Sequence, residues 1–163
     1  MSRYKEIDGD LIELAKQGKF DVISHGCNCF CNMKSGIAPQ MAEAFGCDNF
    51  NLESYHHKGD MNKLGCIDKG IFEISEDKYI TVINSYTQYR YGNDKVHADY
   101  NAIRLCFKKI NNIYKDSGRT IGLPKIGSGK AKGNWEKIKK IMKEEFTGCD
   151  VTVVNYVPIG IVI

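Results

Sequence analysis

Apolar positions recur along this chain with two periods, and stretches of the two kinds alternate. Phe20–His25 is a short apolar run suited to a buried strand, and polar Gly26–Ser35 follows it as a loop. Ile37, Met41, Ala44 and Phe45 share one helical face, which predicts a helix over Ile37–Phe45 with Pro39 tolerated in its first turn. A shorter helix is predicted over Leu11–Gln17. Asn49–Gly65 is polar and predicts irregular structure around a short helix. Ile71–Ser75 and Tyr79–Asn84 read as a hairpin turning at Glu76-Asp77, and a Tyr-rich loop, Ser85–Gly92, follows. Ile103, Cys106, Phe107, Ile110, Ile113 and Tyr114 keep the i, i+3, i+4, i+7 spacing and predict a helix over His97–Lys115. Thr120–Pro124 reads as a strand, Lys125–Gly133 as a Gly/Lys loop, Trp135–Phe146 as an amphipathic helix and Val151–Val157 as a last strand. Such alternation predicts an α/β layered domain with a mainly parallel sheet.

Composition narrows the class. The 163 residues suit one domain, 1–163, and 42% hydrophobic against 26% charged residues suffices for a packed core. No apolar run approaches the roughly 20 residues that cross a bilayer, and Met1–Gly9 is polar, unlike a signal peptide. Membrane, secreted and fibrous classes are therefore not expected. A net charge of +3 is too mild to imply nucleic-acid binding by itself. Seven cysteines, an odd number, imply reduced thiols in a reducing compartment. Cys27, Cys29 and Cys31 form a C-x-C-x-C run, and His56-His57 at their spacing complete no standard zinc knuckle, so no metal site is expected.

Candidate chemistry lies in two loops of one design. Each follows an apolar strand, is rich in small residues and opens into a helix: Asn28–Ala38, and Gly127-Ser128-Gly129-Lys130-Ala131-Lys132-Gly133. Small residues let backbone N–H groups converge, and a helix N-terminus adds partial positive charge, so each loop suits an anion such as phosphate. Two such loops side by side suit a diphosphate. Alone, each reads rather as an ordinary strand-to-helix turn, because neither has the spacing of a P-loop or a Rossmann fingerprint.

In combination the motifs resemble the macrodomain family over nearly the whole chain. They are Gly9-Asp10-Leu11-Ile12, then Val22–Cys29, then Met33-Lys34-Ser35-Gly36-Ile37-Ala38, then Asn84–Gln88, then Leu123–Gly129, then Trp135-Glu136 and Val153–Val157. The resemblance implies a three-layer α/β/α fold around a mixed, mainly parallel sheet. The similar members are small ones related to the ADP-ribose-1″-phosphate phosphatases and the terminal ADP-ribose–protein glycohydrolases, including compact phage and bacterial proteins. It also implies ADP-ribose as ligand. Asp10, with Leu11 beside it, resembles the acid that meets the adenine amino group, although a carboxylate there also caps the following helix. Tyr156 resembles the aromatic that packs on adenine, or is a core residue. Asn28 and Ser35, beside Met33, resemble residues near the distal ribose. Ser35-Gly36-Ile37 and Gly127-Ser128-Gly129-Lys130-Ala131 would wrap the diphosphate.

The resemblance further implies a hydrolase at the 1″ position: a phosphatase on ADP-ribose-1″-phosphate, or a de-ADP-ribosylating enzyme. The glycohydrolase type uses a lysine after the central strand and an aspartate in the second Gly loop. Ile83-Asn84-Ser85-Tyr86 and Gly129-Lys130-Ala131-Lys132 carry neither. His25 with Asn28 fits the phosphatase type better. His25 is then the acid/base or nucleophile, or else a satisfied buried histidine. His97 is a second candidate for the same pocket. Tyr86, Tyr89 and Tyr91 with Gln88 form a lid or wall, or simply pack at the sheet edge. The alternative function is a non-catalytic ADP-ribose reader or sponge for a related signal. No cofactor is implied. Expected partners are ADP-ribose or ADP-ribose-1″-phosphate and an ADP-ribosylated protein or nucleic acid, with no membrane. The expected state is a monomer in the cytoplasm, the host's if the chain is phage-encoded.

Overall fold

A computed structural model describes residues 3–49, 58–92, 94–129 and 131–157. Its strands are β1 (Arg3–Gly9), β2 (Val22–Asn28), β3 (Ile67–Ser75), β4 (Lys78–Gln88), β5 (Thr120–Leu123) and β6 (Asp150–Tyr156). Its α-helices are α1 (Leu11–Lys16), α2 (Ala38–Phe45), α3 (Tyr100–Tyr114) and α4 (Trp135–Glu145). The strands form one sheet in the order β1-β6-β5-β2-β4-β3, parallel except for β3, which runs antiparallel to β4.

The central strands are apolar on both faces because helices cover both. Val22, Ile83, Ile121, Leu123, Val151 and Val153 pack against Ile103, Phe107 and Ile110 of α3 and Ile138, Ile141 and Met142 of α4. On the opposite face, Ile23, Ile80, Val82 and Val154 pack against Leu11, Ile12 and Ala15 of α1 and Met41 and Phe45 of α2. Neighbouring residues such as Val22 and Ile23 therefore enter different cores, as the strand period requires. The result is the expected three-layer arrangement of a mixed, mainly parallel sheet.

Several boundaries differ from those the pattern predicts. β1 is not visible as an apolar run because it is an edge strand that pairs only with β6, leaving only Tyr4 and Ile7 against the two cores. The hairpin turns at Glu76-Asp77 as expected, with Ser75 opposite Lys78 and Asp77 at φ +57°. Its strands are longer than predicted, and β4 continues through Tyr86 to Gln88. The Tyr-rich loop is thus strand for half its length, since Cys27 and Asn28 of β2 extend the pairing along it. α3 begins at Tyr100, not His97, because the Asp99 side chain caps it by accepting from Ala102 N. Of the polar stretch 49–65, a 3₁₀ turn at Met61–Lys63 is helical, and His56 and His57 lie outside the described residues.

Phe107 is fully buried and stacks on Phe146 at 5.2 Å, joining α3 to the end of α4. Phe107→Ala is expected to lower unfolding free energy by roughly 3–5 kcal/mol, as for other large-to-small core changes, read from urea denaturation.

Candidate functional site

Parallel strands deliver their carboxyl ends to one edge of the sheet, and a cavity of about 1150 Å³ opens there. Asn28 ends β2, Pro124–Gly129 follow β5, Asn155 and Tyr156 end β6, and Asp10 follows β1; all of them line it. The two anion loops both contribute to the wall. Met33, Ser35, Gly36 and Ile37 line it from the first, and Gly127, Ser128, Gly129 and Ala131 from the second. Lys130 lies outside the described residues.

The loops are rich in unspent backbone donors. Among the described residues, the N–H groups of Lys34, Ser35, Gly36 and Ile37 have no acceptor, nor do those of Gly127, Gly129 and Ala131. Backbone N–H groups are obligatory hydrogen-bonding groups, so a set of them lining one cavity favours an anionic occupant. α2 begins directly after the first loop without a side-chain cap, leaving its positive end open. Internal bonds hold the second loop in shape: Gly133 N donates to Gly127 O at 2.7 Å, and His97 N and Ala98 N both donate to Ala131 O. A Cβ on Gly133 would stand 2.5 Å from Gly127 O, so this glycine serves close backbone approach. A Cβ on Gly129 would meet no protein atom within 4 Å, so this glycine leaves space at the cavity wall.

Asp10 has the capping role: its Oδ1 accepts from Ile12 N at 3.0 Å and Glu13 N at 3.2 Å. It lines the cavity as well, beside buried Leu11. Tyr156 is 63% exposed at the same end, which leaves its ring free to stack. Asn28 lines the opposite end, but its side chain is largely spent on the loop. Its Nδ2 donates to Asn32 O at 2.9 Å, and its Oδ1 accepts from Phe30 N and Asn32 N. Asn28 is therefore a loop brace with one N–H in reserve.

Two expectations are corrected by burial, and a third residue stands behind the cavity wall. His25 does not line the cavity. It is wholly buried on the α1/α2 side of β2, where Nε2 donates to Asn84 Oδ1 at 2.8 Å. The Asn84 Nδ2 donates in turn to Cys47 O at 2.7 Å. Cys27 Sγ and Cys47 Sγ lie 3.4 and 3.6 Å from the same Nε2, and Nδ1 has no partner among the described residues. Burial pushes the His25 imidazole down to about 4, against a smaller upward effect of the Asn84 hydrogen bond. Tyr86 is also internal: it sits within β4, and its hydroxyl donates to Asp68 Oδ2 at 2.7 Å. His97 is tucked against the loops and does not line the cavity, and its Nε2 meets Asp94 Oδ1 at 2.7 Å. That hydrogen bond holds the Asp94 carboxyl below its usual range.

Gln88, Tyr91 and Gly92 line the cavity near Asn28 and Asn32, and only the expectation of a Tyr-rich wall anticipated them. Sequence reasoning missed Asn155, Lys16 and Glu13 at the Asp10 end. One available signal was position: Gln88 and Asn155 are polar residues at the carboxyl ends of otherwise apolar strands.

No family model matches the chain. A curated phage T4 protein, described as an uncharacterized 17.5 kDa protein in the tk-vs intergenic region, is 32% identical over 165 residues, which cover 95% of this chain and 97% of that protein. Thermosipho africanus DarTG, solved in complex with ADP-ribose, superposes at a TM-score of 0.72 with 16% identity, over 99% of this chain and 43% of that one. The macrodomain of Thermus aquaticus DarG gives 0.66 at 18% identity, over 97% of this chain and all of that one. The chain belongs to one family with the phage T4 protein, and its fold is that of the macrodomains. Its cavity thus lies in a macrodomain scaffold. Among the described residues, no helix is long and apolar enough to cross a membrane.

The state of His25 carries a pH signature. A neutral buried imidazole does not gain the proton that the unfolded chain takes up below pH 6.5, so stability falls as pH drops from 6.5 towards 4. The loss from this group is on the order of 3 kcal/mol across the window and stops below it. His25→Gln keeps an N–H for Asn84 without titrating, and urea midpoints at pH 7.5 and 4.5 should differ less in the variant than in the parent.

Proposed function

We propose that this macrodomain binds ADP-ribose, with adenine against Asp10 and Tyr156, the diphosphate between the two loops and the distal ribose towards Asn28 and Gln88. The observation that carries this is the set of unspent N–H groups on two loops that border one cavity. A diphosphate accepts many hydrogen bonds, and donors fixed by the fold need no reorganisation to supply them. The cavity is ample for a nucleotide-sized ligand. The ADP-ribose complex of a protein of similar fold supports the same reading.

A second reading, hydrolysis at the 1″ position of an ADP-ribose derivative, is favoured by one observation. The His97–Asp94 pair adjoins the wall: His97 Nε2 would stand 3.6 Å from a Cβ on cavity-lining Gly92, and the His97 backbone holds Ala131. In this reading the His97–Asp94 pair beside Gly92 supplies the acid/base. His25 is excluded from this role by its burial.

Calorimetry with ADP-ribose tests the first reading. Tyr156→Ala should weaken binding about tenfold, in line with the ~1–3 kcal/mol of a base–aromatic stack. Gly129→Val should weaken binding at least as strongly while leaving the melting temperature unchanged. Absence of binding to ADP-ribose at millimolar concentration would overturn the reading. Phosphate release from ADP-ribose-1″-phosphate tests the second: loss of turnover in His97→Ala with retention in His25→Gln supports it, and no turnover by the parent protein overturns it.

A further inference from the structure

The cavity wall next to Asn28 holds a pair of groups that nucleotide binding does not use. Cys31 lines the cavity at 6% exposure, with its backbone at φ +53°. A non-glycine residue in this region costs about 1–2 kcal/mol and is kept only where its surroundings enforce it. Here the enforcement is local: Cys31 N donates to Asn28 O at 3.1 Å, inside the loop that Asn28 braces.

Behind Cys31 lies Lys63, carried by the 3₁₀ turn that Asp60 caps. Lys63 is 1% exposed, and its Nζ donates to Cys31 Sγ at 3.5 Å and stands 4.9 Å over the Tyr86 ring. Among the described residues, no carboxylate lies within 4.0 Å of that ammonium. A buried cation without an acid partner is unusual, because desolvating it costs several kcal/mol. Among the described residues, that sulfur and the ring face are the groups its ammonium meets.

The neighbouring thiols are in different circumstances. Cys29 is fully buried, and burial pushes its thiol up to about 11 although Lys63 acts in the opposite sense. Cys27 lines the cavity, but burial pushes its thiol well up and its sulfur packs on His25. None of the seven cysteines is in a disulfide. Only Cys31 combines a place on the cavity wall with a hydrogen bond from a cation. A nearby ammonium favours the negative sulfur that acts as nucleophile.

We propose that Cys31 is a nucleophilic thiol of the cavity wall and a modification site for soft carbon electrophiles, with Lys63, whose Nζ donates to its sulfur, as the positioning residue. The step is S-alkylation. The Sγ proton passes to solvent, the sulfur lone pair forms the S–C bond, and the bond from that carbon to its leaving group breaks with the electron pair. With iodoacetamide the leaving group is iodide. The adduct then stands in the cavity. Nothing in this step depends on which ligand the cavity binds.

Timed labelling of the folded, full chain with iodoacetamide, read cysteine by cysteine by mass spectrometry, tests the proposal. Cys66, half-buried and away from the cavity, serves as internal reference. Cys31 should label at least about tenfold faster than Cys29. Lys63→Met should slow Cys31 about tenfold, Lys63→Arg should restore it to within about threefold, and Cys66 should not change. Cys31 labelling no faster than Cys29 in the parent protein overturns the proposal, and so does equal slowing by the methionine and arginine variants. Should Lys63→Met fail to fold, the ratio of Cys31 to Cys29 in the parent protein decides. ADP-ribose added in a parallel series should protect Cys31 if the nucleotide reading holds, and that series leaves the nucleotide-free comparison untouched.

Discussion

β2 is buried on both faces, and its polar side chains must be satisfied inside the protein. That constraint organises much of the rest. His25 meets Asn84 across the β2–β4 pair, and Ser24 meets both Ile83 O and Ser85 in the next rung. Asn84 then reaches Cys47 O just beyond α2. One chain of hydrogen bonds thus locks the central strand to its neighbour and to the segment that ends α2. An unpaired group in such a place would cost about 1–3 kcal/mol, so register and helix position are specified together.

The site inherits its geometry from this arrangement. With α2 held from its far end, its open N-terminus and the preceding loop face the cavity. The second loop is held separately, through Gly133, His97 and Ala98, to the segment leading into α3. The two donor-rich loops are therefore fixed by different layers of the fold and both border the cavity. A preorganised anion site of this kind is built from backbone groups, and its side chains matter mainly by their smallness. Gly129 and Gly133 illustrate two forms of that smallness: one leaves room at the wall, and the other lets two backbone segments touch.

Buried polar groups also account for the most instructive disagreement between sequence and structure. The run His25–Cys31 reads as catalytic because it joins a histidine to cysteines and an asparagine at a strand end. Alternation along β2 instead turns His25 into the α1/α2 core, where burial keeps it neutral. Asn28, three residues further, is at the cavity but spends its amide on its own loop. Cys31, which the sequence offered only as part of a spacing, stands on the cavity wall with a buried lysine from a distant turn behind it.

The sequence by itself determined the alternation of strands and helices, the mainly parallel sheet, the two small-residue loops and the helix cap at Asp10. All of these follow from local periodicity, glycine placement and capping chemistry, which neighbouring residues carry. The tertiary structure alone decided which side of β2 His25 faces, that Tyr86 lies inside β4, where β1 pairs, and that Lys63 stands behind Cys31. Each of these depends on residues far apart in the chain being brought to one place. Strand register and burial set such meetings, and no local pattern encodes them.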